Sequence, residues 1–145
     1  GAVTSISLGI FVNDSPAIGT GLLNVVIAAD DAGAPGAALR TLPINVNATG
    51  KQVVTVNDDG SFMLNADTNY WIVADAEESF RGSWNFNTIG DNSLTAGQTE
   101  PNPWNVRSPD LPRYAMRLEA RVPEPSSFLM AVVCLPAIFL RRRRA

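Results

Sequence analysis

Apolar and polar residues alternate with a period of two along much of this chain, the spacing of strands with one dry face and one wet face. Residues 3–12 show it first, with Ile6, Leu8, Ile10 and Val12 on one side and Ser5, Ser7, Gly9 and Phe11 on the other. Residues 22–29 resume it through Leu23, Val25 and Ile27. Further strands are predicted over 38–46, over the β-branched stretch 51–56, and briefly over 61–64. The clearest lies at 69–74, where Tyr70, Ile72 and Ala74 oppose Trp71 and Val73. Residues 83–86 set Trp84 and Phe86 on one face. Residues 113–121 send Tyr114, Met116, Leu118 and Ala120 inward and Arg113, Arg117, Glu119 and Arg121 outward.

Turn chemistry separates these runs. Residues 13–21 form a loop, and Asp30, Asp31, Gly33, Pro35 and Gly36 form a turn-rich corner. Asn57-Asp58-Asp59-Gly60 is a strong turn signal, and residues 77–82 are polar. Residues 87–112, with Gly, Asn and four prolines, are predicted to wrap the surface with one short extended piece near 104–106. No helical period precedes residue 122. The body, residues 1–121, therefore reads as all-β, an antiparallel β-sandwich or jelly roll of about eight strands.

The end of the chain is different. Residues 122–145 read VPEPSSFLMAVVCLPAIFLRRRRA: a Pro-Glu-Pro triplet, an apolar run over 128–140, then four arginines. Pro123 and Pro125 fix φ and cannot donate to a sheet ladder, so this backbone is extended and exposed, open to an enzyme's groove. The apolar run predicts a short transmembrane helix. With Ser126 it reaches roughly 15 residues, or about 22 Å of helix, against a hydrocarbon core of about 30 Å. It is also interrupted by Pro136, which suits a briefly held anchor better than a lasting one. Arg141, Arg142, Arg143 and Arg144 are costly to translocate and would hold the end in the cytoplasm, placing the body outside.

Charge divides along the same line. The whole chain carries −3, and the tail from Pro123 holds four Arg and one Glu, leaving the body at −6. An acidic body argues against nucleic acid as a partner. The single cysteine, Cys134, lies in the apolar run, so the body has no disulfide and must be held by packing or metal. There is no histidine, which removes the commonest general base and transition-metal ligand. The sequence opens at Gly1 without a basic-then-apolar leader; export needs one, so the expectation is that a leader, and some N-terminal strand, precedes Gly1.

The ordered tail resembles the PEP-CTERM sorting signal of Gram-negative bacteria that make exopolysaccharide. The resemblance implies export, transient residence in the inner membrane, and processing by an exosortase, with Pro123, Glu124 and Pro125 as the recognition motif within 122–127. Residues 128–140 would then be the membrane helix and 141–145 the basic cytoplasmic end. The body is similar to the choice-of-anchor R domain through SISLG at 5–9, AADDAGAPG at 28–36 followed by LRTL at 39–42, LNADTNYWIVA at 64–74, and Trp84. That likeness implies a β-sandwich surface module and no activity.

Candidate chemistry is sparse. Asp30 and Asp31 in one turn, and Asp58 and Asp59 in another, offer oxygen ligands for calcium, without EF-hand spacing. Asp and Gly also populate turns for conformational reasons alone. Trp104, between Pro103 and Asn105, is the best candidate for an exposed aromatic that stacks on sugars, whereas Trp71 and Trp84 read as packing. Glu77 and Glu78 form a paired carboxylate in a solvated loop, and Asn13-Asp14-Ser15 and Asn47-Ala48-Thr49 match the N-glycosylation sequon. No nucleophile motif or phosphate-binding loop is present, so no enzyme is expected. The sequence points to an exported, non-enzymatic cell-surface or matrix protein associated with exopolysaccharide and biofilm, with no required cofactor. The alternative is a carbohydrate-binding module using exposed aromatics, stabilised by calcium.

Overall fold

The structure, a computed structural model, describes residues 1–13, 20–76, 80–87, 94–98, 102–107 and 112–122. The tail from 123 onward, including the triplet, the apolar run and the arginines, lies outside them, as do Glu77, Glu78 and most of the 13–21 loop. Among the described residues the fold is all-β, with antiparallel pairing throughout and no helix. No helix there is long and apolar enough to cross a membrane.

Nine strands occur in order among the described residues: β1 (Ala2–Val12), β2 (Gly21–Asp31), β3 (Ala34–Val46), β4 (Gly50–Asn57), β5 (Tyr70–Ala76), β6 (Gly82–Trp84), β7 (Thr95–Gly97), β8 (Asn105–Arg107) and β9 (Met116–Arg121). The expectation of about eight missed β7, because a three-residue strand is too short to show alternation. One sheet is centred on β1, flanked by β4 on one edge and by β9 and then β6 on the other. The second runs β3-β2-β5, and β7 and β8 form a separate ribbon.

One hydrophobic cluster draws on both sheets. Val3, Ile6, Leu8, Ile10 and Val12 enter it from β1, Leu23, Val25 and Ile27 from β2, Leu42 and Val46 from β3, and Val54 and Val56 from β4. The alternation read from residues 3–12 explains this, with one phase change. Thr4 is an extra residue between the pairs Val3–Ala120 and Ser5–Glu119, a bulge that lets Val3 and Ile6 share a face despite their odd spacing.

Three sequence expectations are corrected. The corner at 30–36 is tighter than a loop: Asp30 pairs with Pro35 and Asp31 with Ala34, leaving only Ala32 and Gly33 as the turn. Their φ values, 53° and 86°, are both positive, as a type I′ hairpin requires. The corner looked irregular in sequence because β3 spends 13 residues against the 11 of β2, accommodating the extra two as bulges between Ile27 and Asp30. The signal at 57–60 does not reverse the chain. From Ser5–Asn57 to Ala2–Met63 the register advances three residues on β1 and six on its neighbour, so the intervening acidic loop bulges out and residues 61–64 rejoin the same edge of β1. In the last strand only Leu118 packs against the core, while Met116 and Ala120 are exposed.

The two sheets are tied at that acidic loop. Arg40 of β3 reaches Asp58 at 2.6 Å and Asp59 at 3.2 Å, and the Asp58 side chain is fully shielded from solvent. Removing one member of a buried pair leaves the other's charge uncompensated. Arg40→Ala is therefore expected to destabilise the fold by about 3 kcal/mol, at the low end for such pairs because Arg40 is partly exposed, and Asp58→Asn added to it should recover part of the loss. Urea unfolding of the two variants measures both. Ala32 carries the opposite opportunity: an alanine in the left-handed region is strained, so Ala32→Asn should raise stability by about 0.5–1 kcal/mol, read as a higher melting temperature.

Candidate functional site

Three of the four aspartates proposed as calcium ligands, Asp30, Asp58 and Asp59, are engaged with the protein itself. Asp30 accepts the Trp71 indole N–H at 2.6 Å and the Gly33 amide at 3.2 Å, so it clasps the hairpin turn to the neighbouring strand β5. Asp58 accepts from the Gly60 amide at 2.8 Å as well as from Arg40. Asp59 accepts from the Ser61 amide at 2.9 Å and from Arg40. Asp31 is exposed at the end of β2. Among the described residues, no three or more acidic, histidine or cysteine side chains gather to a metal-sized cluster.

A different assembly stands out, and it begins at Gly9. The Gly9 amide donates to Ala115 O at 2.9 Å, its carbonyl accepts from the Asn85 amide at 2.8 Å, and the Ala115 amide donates to Asn85 O at 2.6 Å. Three backbones meet here because β1 changes partner, from β9 at Leu8–Met116 to β6 at Ile10–Trp84. A side chain at residue 9 would press on Ala115, with a Cβ only 3.1 Å from the Ala115 Cβ, which is why glycine suits the fork. Past it, residues 85–87 and 113–115 pair with each other through the Phe86–Tyr114 bridge.

The fork aligns three rings. Trp84 and Phe86, two residues apart, lie on one side of their strand, and Tyr114 of the partner segment slides between them. The ring centroids are 5.0 Å and 5.1 Å apart with interplanar angles of 14° and 10°, an offset stack. The Trp84 indole N–H donates to Ala115 O at 2.8 Å, which fixes its plane.

This stack forms one wall of an open groove of about 1450 Å³. Every residue of β5 also lines it, so the groove meets both faces of that strand. The β7–β8 ribbon supplies Thr95, and the residues just before its two strands supply Leu94 and Trp104. All three tryptophans and both tyrosines of the chain line this one groove. Trp104, singled out from sequence, is there, half-buried, and so is Asp30. Asp31, Asp58 and Asp59 are not. Trp71 and Trp84, read as packing, are groove residues, although Trp84 also touches the core. Thr95 was missed. It is only 3% exposed, and its hydroxyl has no hydrogen-bond partner.

The chain matches no protein family model, no curated protein and no solved structure.

One titration is set by the acidic loop. Hydrogen bonds from the Ser61 hydroxyl and amide, with smaller help from Asp58 and Arg40, hold the Asp59 carboxyl down to about 2 from its ordinary 3.8. A carboxyl whose pKa is lowered by folding stabilises the fold fully above its unfolded value and loses that contribution as pH falls through the folded one. Stability from Asp59 is therefore expected to be complete above pH 3.8 and to drain away toward pH 2. Asp59→Asn should flatten that part of the acid limb in melting curves taken across this range.

Proposed function

We propose that this is an exported, non-enzymatic cell-surface or matrix protein, a β-sandwich body delivered by a C-terminal PEP-CTERM tail that an exosortase processes. The observation that carries the reading is the fixed order at the end of the sequence: Pro123-Glu124-Pro125, the apolar run 128–140, and Arg141 to Arg144. The fold is compatible with a tail that can be lost. The last strand, β9, pairs through Arg121 with Ala2, and the triplet begins two residues later, so processing there would leave every described ladder bond in place. The short, proline-interrupted apolar run suits a temporary stay in the inner membrane, and the arginines suit a cytoplasmic stop.

Absence of cysteine from the body fits a module stabilised by aliphatic packing and the Arg40–Asp58 pair. Its net acidity favours solubility and disfavours nucleic acid. On this reading the partners are the exosortase, the inner membrane in passing, and exopolysaccharide or other polymers of the surface and biofilm.

Intact mass spectrometry of the protein recovered from its native host tests the proposal. The expected mass ends near Glu124 or Pro125, alone or with a covalent addition. Recovery with all four terminal arginines, from a body facing the cytosol, would overturn it.

A further inference from the structure

We propose that the aromatic groove binds a neutral polysaccharide, with sugar rings stacked on Trp104 and on the exposed end of the Trp84–Tyr114–Phe86 column, and with a sugar hydroxyl completing the hydrogen bonding of Thr95. This goes beyond delivery to the surface and is independent of how the tail is processed.

The distribution of aromatics is the first support. In an ordinary core, large rings are buried because they bring the most apolar area. Here, among the described residues, the fully buried core is aliphatic except for Phe80, whereas every tryptophan and tyrosine lines the open groove, Tyr70 and Trp84 with part of the ring also packed on the core. Phe86, at the end of the stacked column, is 48% exposed. Flat rings left in reach of water are suited to a ligand with flat apolar faces.

The polar groups narrow the ligand further. Thr95 lines the groove with a buried hydroxyl that has no partner, and a buried hydroxyl is expected to have one. A purely apolar guest would leave it unsatisfied. A sugar presents CH faces to the rings and hydroxyls to the rim, and so answers both. Among the described lining residues the charge is balanced, Asp30 and Asp75 against Arg81 and Arg113, which gives a uniformly charged polymer no advantage there. Size favours a polymer over a single small molecule: the groove, at about 1450 Å³, exceeds the roughly 300–1,000 Å³ usual for small-molecule pockets.

The test is a tryptophan-fluorescence titration of the full chain in a zwitterionic, sugar-free detergent. Its arms are a neutral β-1,4-glucan hexaose, an anionic polygalacturonate hexamer and palmitate. The neutral hexaose is expected to give a saturable change at millimolar concentration or below. Trp104→Ala should weaken binding about tenfold and Trp104→Phe much less, because a ring is retained. Thr95→Val should weaken binding severalfold while leaving the melting temperature unchanged or higher, a combination that a merely structural threonine would not give. No saturable response to the neutral hexaose, undiminished affinity in Trp104→Ala, or preference for the anionic sugar or for palmitate would each overturn the proposal. The mass of the processed chain bears only on the sorting reading, so the two can fail separately.

Discussion

The buried face of β1 is the constraint on which the rest of the molecule depends. Val3, Ile6, Leu8, Ile10 and Val12 are 0–3% exposed, and each such side chain contributes about 1.5–3 kcal/mol on burial. Together that is on the order of 10 kcal/mol, comparable with the whole net stability of a typical domain. A slip of one residue would exchange this set for Ser7, Gly9 and Phe11, so the register is fixed by the core itself. Because β1 is paired along both edges, by β4 and the 61–64 segment on one and by β9 and β6 on the other, fixing its register fixes theirs.

Irregularities along β1 then do the shaping. The bulge at Thr4 rephases the strand so that its first turn of pairing still feeds the core. The fork at Gly9 releases residues 85–87 and 113–115 from the main sheet and lets them pair alone, which is what brings Trp84, Phe86 and Tyr114 into one column. On the other side, the bulged loop after β4 carries Asp58 and Asp59 to Arg40 of the second sheet. A core of short aliphatic side chains holds the sheets by area alone, which is not directional. The guanidinium adds direction, since its rigid fork meets carboxylates in a limited range of geometries.

What the sequence made legible was what alternation encodes. β1 stood out because its buried apolar residues fall at alternate positions, whereas β2 and β5 are nearly unbroken apolar runs, and of the two faces of β5 it is Tyr70, Ile72 and Ala74 that pack on the core. The extra residues in β3 were hidden, because a bulge breaks the period without leaving a composition signal beyond the small residues near Gly36. β7 was hidden for want of length. The groove was only partly legible. Trp104 drew attention through its loop neighbours, whereas Trp71 lies on an alternating strand whose outer face, with Val26 and Ala28 beside it, is also covered enough to look like core. Alternation says which residues share a face; it does not say what the second face of a sheet meets. Turn composition likewise identified Asp30 and Asp58 as turn residues and gave no hint of Trp71 or Arg40 as their partners.

The relation between body and tail follows from where the sheet closes. β9 is the last described strand and pairs with β1, the first, so the two ends of the body are held by the same ladder, from Leu8–Met116 to Ala2–Arg121. Such closure ties the first and last described strands to one another. The exposed residues of β9 contribute little to the core apart from Leu118, so the strand serves mainly to cover the edge of β1. Directly after this edge cover the sequence places Pro123-Glu124-Pro125, in which neither proline has an amide hydrogen to donate to a ladder. On the proposed reading, the two residues that would present the chain to a processing enzyme are thus also two that bring no amide donor to the edge of the sheet.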